Sequence, residues 1–303
     1  IIKSEYNEAL TLYKKAFDKV KVGFALDYHN AILCAVEVND SKFAFEYLEK
    51  LVSKGVELRW FERNTDLYEP LLEMPEWERF INNYDLIKKE SFEITLDDEF
   101  AGKMGQMFNL DQKVRVNNEP NSPWIKEMDL KNLGIFRELV ERKGFPTEEM
   151  LGIHTPYTSL MDLNILITHF QKNHKSDSTL FDLNPILFLA AKNGKIHAEI
   201  AAEFFDIGGS SIGGIGEYGA TGVIKLNGEK GYYKIKYSEE KLKEINLNRR
   251  NLGLSPRDVF IEKILFERVT NKDTNFDFSP TGGMSSYPVQ LKEMMDLEAI
   301  IIN

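Results

Sequence analysis

Residues Tyr6–Phe17, YNEALTLYKKAF, and residues Phe43–Val52, FAFEYLEKLV, carry the same apolar stripe. Ala9 answers to Ala44, Tyr13 to Leu48 and Ala16 to Leu51, each pair 35 positions apart (44 − 9, 48 − 13, 51 − 16). Between them, LDYHNAILCAVEVND (Leu26–Asp40) sets Tyr28, Ala31, Ile32 and Ala35 on one face at helical spacing. The alanines let neighbouring helices approach closely, and the tyrosines and leucines fill the grooves between them. Three amphipathic helices in the first 55 residues make the chain mainly α at its N-terminus.

This pattern resembles the tetratricopeptide repeat, a pair of helices with a period of about 34 residues. The likeness covers one helix of a first unit and both helices of a second. Tyr28, Ala31 and Ile32 stand where the repeat's Trp-Leu-Gly start would be. An independent solenoid needs about three repeats, so so short an array has to lean on further structure. FERNTDLYEPLLEMPEWERFINNY (Phe61–Tyr84) supplies it: Pro75 suits the first turn of a helix through Trp77, Phe80 and Ile81 that would cap the repeat. Trp60 and Trp77 are expected to serve as core.

A boundary is expected near residues 88–95, with Thr95 as N-cap and Asp97 and Asp98 in the first turn of a helix from Leu96 to about Val116. NNEPNSP (Asn117–Pro123) reads as a loop. Helices follow over about Asp129–Arg142, over TSLMDLNILITHFQKN with Leu160, Leu163, Ile167 and Phe170 inward, and over two segments split by Gly194. The period then changes. GVIKLNGEKGYYKIKY alternates around Asn227-Gly228, which predicts a hairpin with strands near 222–226 and 231–237. Two more helices follow, the first capped by Ser238, and the tail from Thr270 is expected to be irregular with a short amphipathic segment near QLKEMMDLEAIII. The expected fold is mainly α: an N-terminal tetratricopeptide-like region packed on a larger helical domain carrying one β-hairpin. Its parts are a repeat region over 1–90, a helical domain over 91–270 and a tail over 271–303.

Composition narrows the partners. A net charge of −10 argues against a nucleic-acid backbone, and the local basic stretch at Arg249 and Arg250 is small. No run approaches the roughly 18 apolar residues that span a membrane. The lone Cys34 lies in an apolar helical pattern and reads as a small buried hydrophobe. The chain begins at Ile1 rather than methionine, so either a leader has been removed or the sequence starts late.

Seven of the fifteen residues from Gly208 to Gly222 are glycine, and Gly214–Gly219 matches G-x-G-x-x-G. A dinucleotide loop follows a strand and opens a helix, because the helix N-terminus meets the pyrophosphate. Here the order is reversed, and no kinase catalytic loop, Walker motif or nucleophile elbow accompanies it. The stretch therefore reads as a connector between a helix and the hairpin. His169 and His174 lie five apart, off a common helical face, and no metal-ligand spacing occurs. No cofactor and no metal are expected. Asp111 and Arg115, spaced i,i+4, read on their own as a helix-surface ion pair.

Residues 96 to about 224 are similar to an uncharacterised bacterial domain of unknown function found in exported proteins. Its pattern is met by Asp111, Gln112 and Arg115 in DQKVR, by Asp129 and Asn132 in DLKN, by Gly144-Phe145-Pro146 and by Leu151-Gly152. His169 follows in ITHF, with Thr168 in place of the pattern's Gln. Asp206 follows in FFDI, with Ile207 in place of Arg. Glu217-Tyr218-Gly219-Ala220-Thr221 ends it, with Glu for Gln and an added Ala. The resemblance implies an exported protein of the periplasm or cell envelope. It also gives Asp111, Gln112, Arg115, Asn132, His169, Asp206, Glu217 and Tyr218 a common address as a candidate polar cleft.

Two functional readings follow. The first is a protein-interaction or scaffold subunit of a larger bacterial envelope assembly, binding protein partners through the repeat region. The alternative is a hydrolase-like or small-ligand-binding domain with a polar cleft in 96–237.

Overall fold

The computed structural model describes residues 1–119, 122–156, 160–209, 216–270, 276, 284–287, 291 and 295–300. The chain is mainly helical, with one small sheet. Its helices are α1 (Tyr6–Phe17), α2 (Ala25–Glu37), α3 (Ser41–Val52), α4 (Leu58–Arg63), α5 (Glu69–Leu72), α6 (Pro75–Asn82), α7 (Tyr84–Thr95), α8 (Asp98–Val116), α9 (Pro123–Lys143) and α10 (Glu148–Leu151). There follow α11 (Met161–Ser176), α12 (Asn184–Lys192), α13 (Ala198–Gly209), α14 (Glu239–Asn251) and α15 (Arg257–Leu265). The strands are β1 (Val223–Leu226), β2 (Tyr232–Ile235), β3 (Met284–Tyr287) and β4 (Leu297–Ile300). No described helix is long and apolar enough to cross a membrane.

The chain forms two compact units, each discontinuous in sequence. The first comprises Ile1–Leu110, Phe136–Leu163 and Asn275–Asp277, and the second Asp111–Ile135, Asn164–Thr274 and Phe278–Asn303. Residue 90 lies within α7 and within the first unit.

In the first unit α2 is the centre. Every residue from Ala25 to Ala35 except Asp27 is buried, because α2 packs against both α1 and α3. The Asp40 carboxylate caps α3 by accepting from the Phe43 amide at 3.2 Å. Phe17, Tyr28, Phe43 and Tyr47 form one aromatic cluster with ring centroids 4.1–5.3 Å apart, Tyr47 stacking on Phe17 and Phe43 while Tyr28 meets Phe17 and Tyr47 edge-on. A second aromatic group holds Trp60 against Phe61 and Tyr68, and Trp77 against Tyr68 and Phe80. Cys34 is fully buried. The helix expected from Leu96 starts instead at Asp98. Thr95 is the last residue of α7, and the Asp97 side chain is the cap, accepting from the Phe100 amide at 3.0 Å while gripped by Lys143 at 2.7 and 2.8 Å.

In the second unit the expected hairpin is present. β1 pairs antiparallel with β2, Ile224 facing Tyr233, and Gly228 takes φ +85°, the left-handed backbone its turn needs. The tail does not stay irregular. β3 runs parallel beside β1 and β4 runs antiparallel beside β2, giving a four-stranded sheet in the order β3-β1-β2-β4. A two-stranded hairpin leaves two rows of unpaired backbone groups, and the tail satisfies both. Ile224, Leu226 and Ile235 pack with Leu291 and Met295 on one side of the sheet, while Val223 packs with Phe260, Ile261 and Ile264 of α15 on the other. The Ser238 hydroxyl caps α14 through the Lys241 amide at 3.2 Å. Ile167 and Phe170 of this unit are buried, as are Leu160 and Leu163 of the first, as their spacing predicts.

Candidate functional site

The second unit gathers two polar groups and one cleft. The first group joins α8, α9 and α11. Arg115 reaches from α8 with its Nη2 donating to both oxygens of Asp129 at 2.8 and 2.9 Å. Its Nη1 lies 3.2 Å from Asp111 Oδ1, and its Nε donates to His169 Nε2 at 3.2 Å. A guanidinium only donates, so His169 Nε2 is an acceptor there, and Nδ1 carries the ring proton toward Asp111 Oδ1 at 3.0 Å. Gln112 donates to the other Asp111 oxygen at 2.7 Å, and Asn173 donates to Asp129 Oδ2 at 2.7 Å.

Asp111 is 0 % exposed and Asp129 is 3 %. The i,i+4 pair of Asp111 and Arg115 is therefore not a helix-surface pair; its other partners come from two further helices. Burial works to raise both carboxyls. At Asp111 the hydrogen bond from His169 and the charge of Arg115 outweigh it, and the group stays below the usual carboxylate range. At Asp129 burial prevails and the carboxyl lies above that range. Asn132, one turn beyond Asp129 on α9, is buried. The amide side chain of Asn173 had no part in the sequence expectation, although it lies four residues after His169 and so on the same face of α11.

The second group staples the segment after the glycines. Asp206 of α13 accepts from the Tyr218 amide at 2.9 Å and the Ala220 amide at 2.7 Å. A Cβ on Gly216 would lie 1.8 Å from Asp206 Oδ1 and 2.5 Å from its Cβ, so this approach requires glycine. The Tyr218 ring packs on Phe205 at 5.1 Å. Arg249 is fully buried and belongs to no basic surface patch: it donates to Glu199 at 2.9 and 3.2 Å, to the Tyr218 carbonyl at 3.2 Å and to the Ser255 carbonyl at 2.7 Å. Glu217 is exposed, and its carbonyl accepts from Asn248. Tyr218 thus belongs with Asp206 and Arg249. Residues 210–215, which hold the first two residues of the G-x-G-x-x-G match, lie outside the described residues.

Burial pushes Asp206 up to about 6, against the pull of the Ala220 and Tyr218 amides and Arg249. It pushes Glu203, one turn earlier on α13, up to about 7, with the Asp206 charge adding to the effect. Both groups hold a proton more tightly folded than unfolded. Their contribution to stability is full below about pH 4, where unfolded carboxyls titrate, and is lost as pH rises through about 6 to 7. Glu203→Gln should accordingly gain stability relative to the parent as pH rises from about 5 to 7.5. Denaturant unfolding at both ends of that range checks it, and a difference that stays flat or reverses contradicts it.

Beside this group opens a cleft of about 930 Å³. Tyr218 and Phe205 contribute aromatic faces, and α12 contributes Phe188 and Leu189, which are 37 % and 59 % exposed. Its ionic lining is Lys175, Lys241, Asp182 and Glu217, with His174 of α11 held by the Leu180 carbonyl at 3.1 Å. The structure thus brings Asp111, Gln112, Arg115 and His169 together around Asp129, groups Asp206 with Tyr218, and sets Glu217 and Tyr218 on the cleft. No family model, no curated protein and no solved structure matches the chain, so the chemistry of these groups is read from their own geometry.

Proposed function

We propose that the second unit is a small-ligand-binding domain whose ligand enters the cleft beside Tyr218. The observation that carries the proposal is the combination of volume and lining. A cleft of about 930 Å³ falls within the roughly 300–1,000 Å³ of small-molecule sites. Its walls combine apolar side chains that remain exposed, Phe188 and Leu189, with ammonium and carboxylate groups that can orient a ligand. The ligand class is an amphipathic organic molecule, its apolar body against Phe188, Leu189 and Tyr218 and a charged group answered by Lys175 or Lys241. Tyr218→Ala should weaken binding at least about tenfold, since a buried aromatic contact contributes roughly 1.5–3 kcal/mol. A thermal-shift screen of amphipathic acids with parent and variant tests this. A hit that stabilises both equally removes the cleft from consideration.

A protein-interaction role is the second reading, and one feature favours it. α1 and α3 begin 35 residues apart (41 − 6) and end 35 residues apart (52 − 17), with α2 packed against both. Leu12 on α1 is 59 % exposed. A partner in an envelope assembly would dock through this repeat-like region. Affinity capture from the native source should then recover a stoichiometric complex that Leu12→Asp disperses. Recovery of a lone monomer counts against it.

A further inference from the structure

We propose that Asp111, Asp129 and His169 form a site for one divalent transition-metal ion, with Arg115 as the ion's competitor. The inference concerns a different place from the cleft and does not depend on it. One ligand atom from each of the three side chains lies within 4.8 Å of the other two. Two carboxylates and an imidazole suit manganese, iron or zinc better than a wholly oxygen-seeking cation.

Three observations beyond the cluster itself point to a cation. The first is charge. Two buried carboxylates face one guanidinium, and the imidazole is neutral because its Nε2 accepts from Arg115. One negative charge is left over in a buried place, where an unpaired charge is costly. The second is fit. Arg115 Nη1 is a buried donor that completes no hydrogen bond and only lies near Asp111 Oδ1. The Arg115 side chain is 22 % exposed, whereas Asp111 and Asp129 are 0 % and 4 %, so it enters from the rim and can swing out. The third is the outer support. Gln112 and Asn173 each donate to one carboxylate oxygen, as outer partners orient ligands in metal centres. Three protein ligands leave coordination positions for solvent or substrate.

With Arg115 swung out and Mn²⁺ or Zn²⁺ bound, the ion's charge replaces the guanidinium's. Removing Arg115 should therefore tighten metal binding rather than weaken it, an effect no adventitious surface site would show. The experiment is a titration of chelator-treated full chain with Mn²⁺, read by loss of the free-ion electron paramagnetic resonance signal, and with Zn²⁺, read by calorimetry. One ion per chain is expected. Arg115→Met should bind at least about tenfold more tightly, and Asn173→Ala about tenfold more weakly, the lower end of losses seen for outer-shell partners. His169→Gln should weaken binding further. If Arg115→Met does not fold without metal, its recovery of the helical circular-dichroism signal on adding Mn²⁺ or Zn²⁺, but not Na⁺, supports the proposal equally. Absence of binding to the parent with no tightening or recovery in Arg115→Met overturns it. Binding that His169→Gln leaves unchanged overturns it as well.

Discussion

Lys54→Met should cost the first unit about 3–5 kcal/mol, the loss expected when one member of a buried ion pair is removed. Lys54 sits just past the end of α3 and is 2 % exposed, with its ammonium 3.1 Å from Glu148 Oε2, in contact with Glu149 and over the Tyr28 ring at 5.6 Å. Glu148 is equally buried. Its Oε2 also accepts from the Ala25 amide at 2.9 Å, while Oε1 makes no hydrogen bond. The pair therefore ties the starts of α2 and α10 to the end of α3. Methionine keeps the stem and removes the charge, leaving buried Glu148 with the Ala25 amide and the like charge of Glu149. Burial already raises the Glu148 carboxyl, and without Lys54 it would rise further. The loss should accordingly shrink at low pH, where Glu148 takes a proton. Adding Glu148→Met should restore most of the stability, because an apolar pair of similar volume replaces a buried ion pair at little cost. Urea unfolding of the parent, both single variants and the double variant measures all of this. A loss below about 1 kcal/mol for Lys54→Met would show that the ammonium stays hydrated.

Gly216→Ala should cost about 2–4 kcal/mol and abolish binding at the cleft. The new methyl would overlap the Asp206 carboxylate, which cannot turn away without releasing the Tyr218 and Ala220 amides. Overpacking costs roughly 1–3 kcal/mol and each hydrogen bond to a charged group about 1.5–3. Displacing residues 216–220 also moves Glu217 and Tyr218, two walls of the cleft. Asp206→Asn is the matching control: it keeps the shape and one acceptor and should lose less. If Gly216→Ala folds as well as the parent and binds the same ligand, Asp206 does not hold this segment in place.

How legible these features were in sequence depends on the range over which they are decided. The stripe of α1 and α3 and the hairpin at Asn227-Gly228 are local patterns of side-chain period and turn chemistry, and they appear where expected. The partners of β1 and β2 are not local. Residues 284–287 and 297–300 become strands because the hairpin offers two open edges, which the tail's own composition does not reveal. Asp111 and Arg115 show the same limit. An i,i+4 pair looks identical in sequence whether water or two more helices cover it, and here Asp129 and His169 cover it. Asn173 was within reach, since it repeats His169 four residues on. The pairing of Asp206 with the Tyr218 segment is likewise non-local, and the closeness of Gly216 to Asp206 makes one glycine of that stretch indispensable. Arg249 reads in sequence only as part of a small basic stretch, because a surface arginine and a buried one beside Glu199 carry the same letter.

The most direct test of a ligand-binding second unit is an amide and methyl nuclear magnetic resonance map of the full chain with the best amphipathic acid from the screen. Shift changes should concentrate on Phe188, Leu189, Phe205, Tyr218 and Lys241, saturate with one ligand per chain and vanish in Tyr218→Ala. Changes confined to the smaller pocket of the first unit around Met104, Ile153 and Leu163, or spread without saturation over both units, would contradict it.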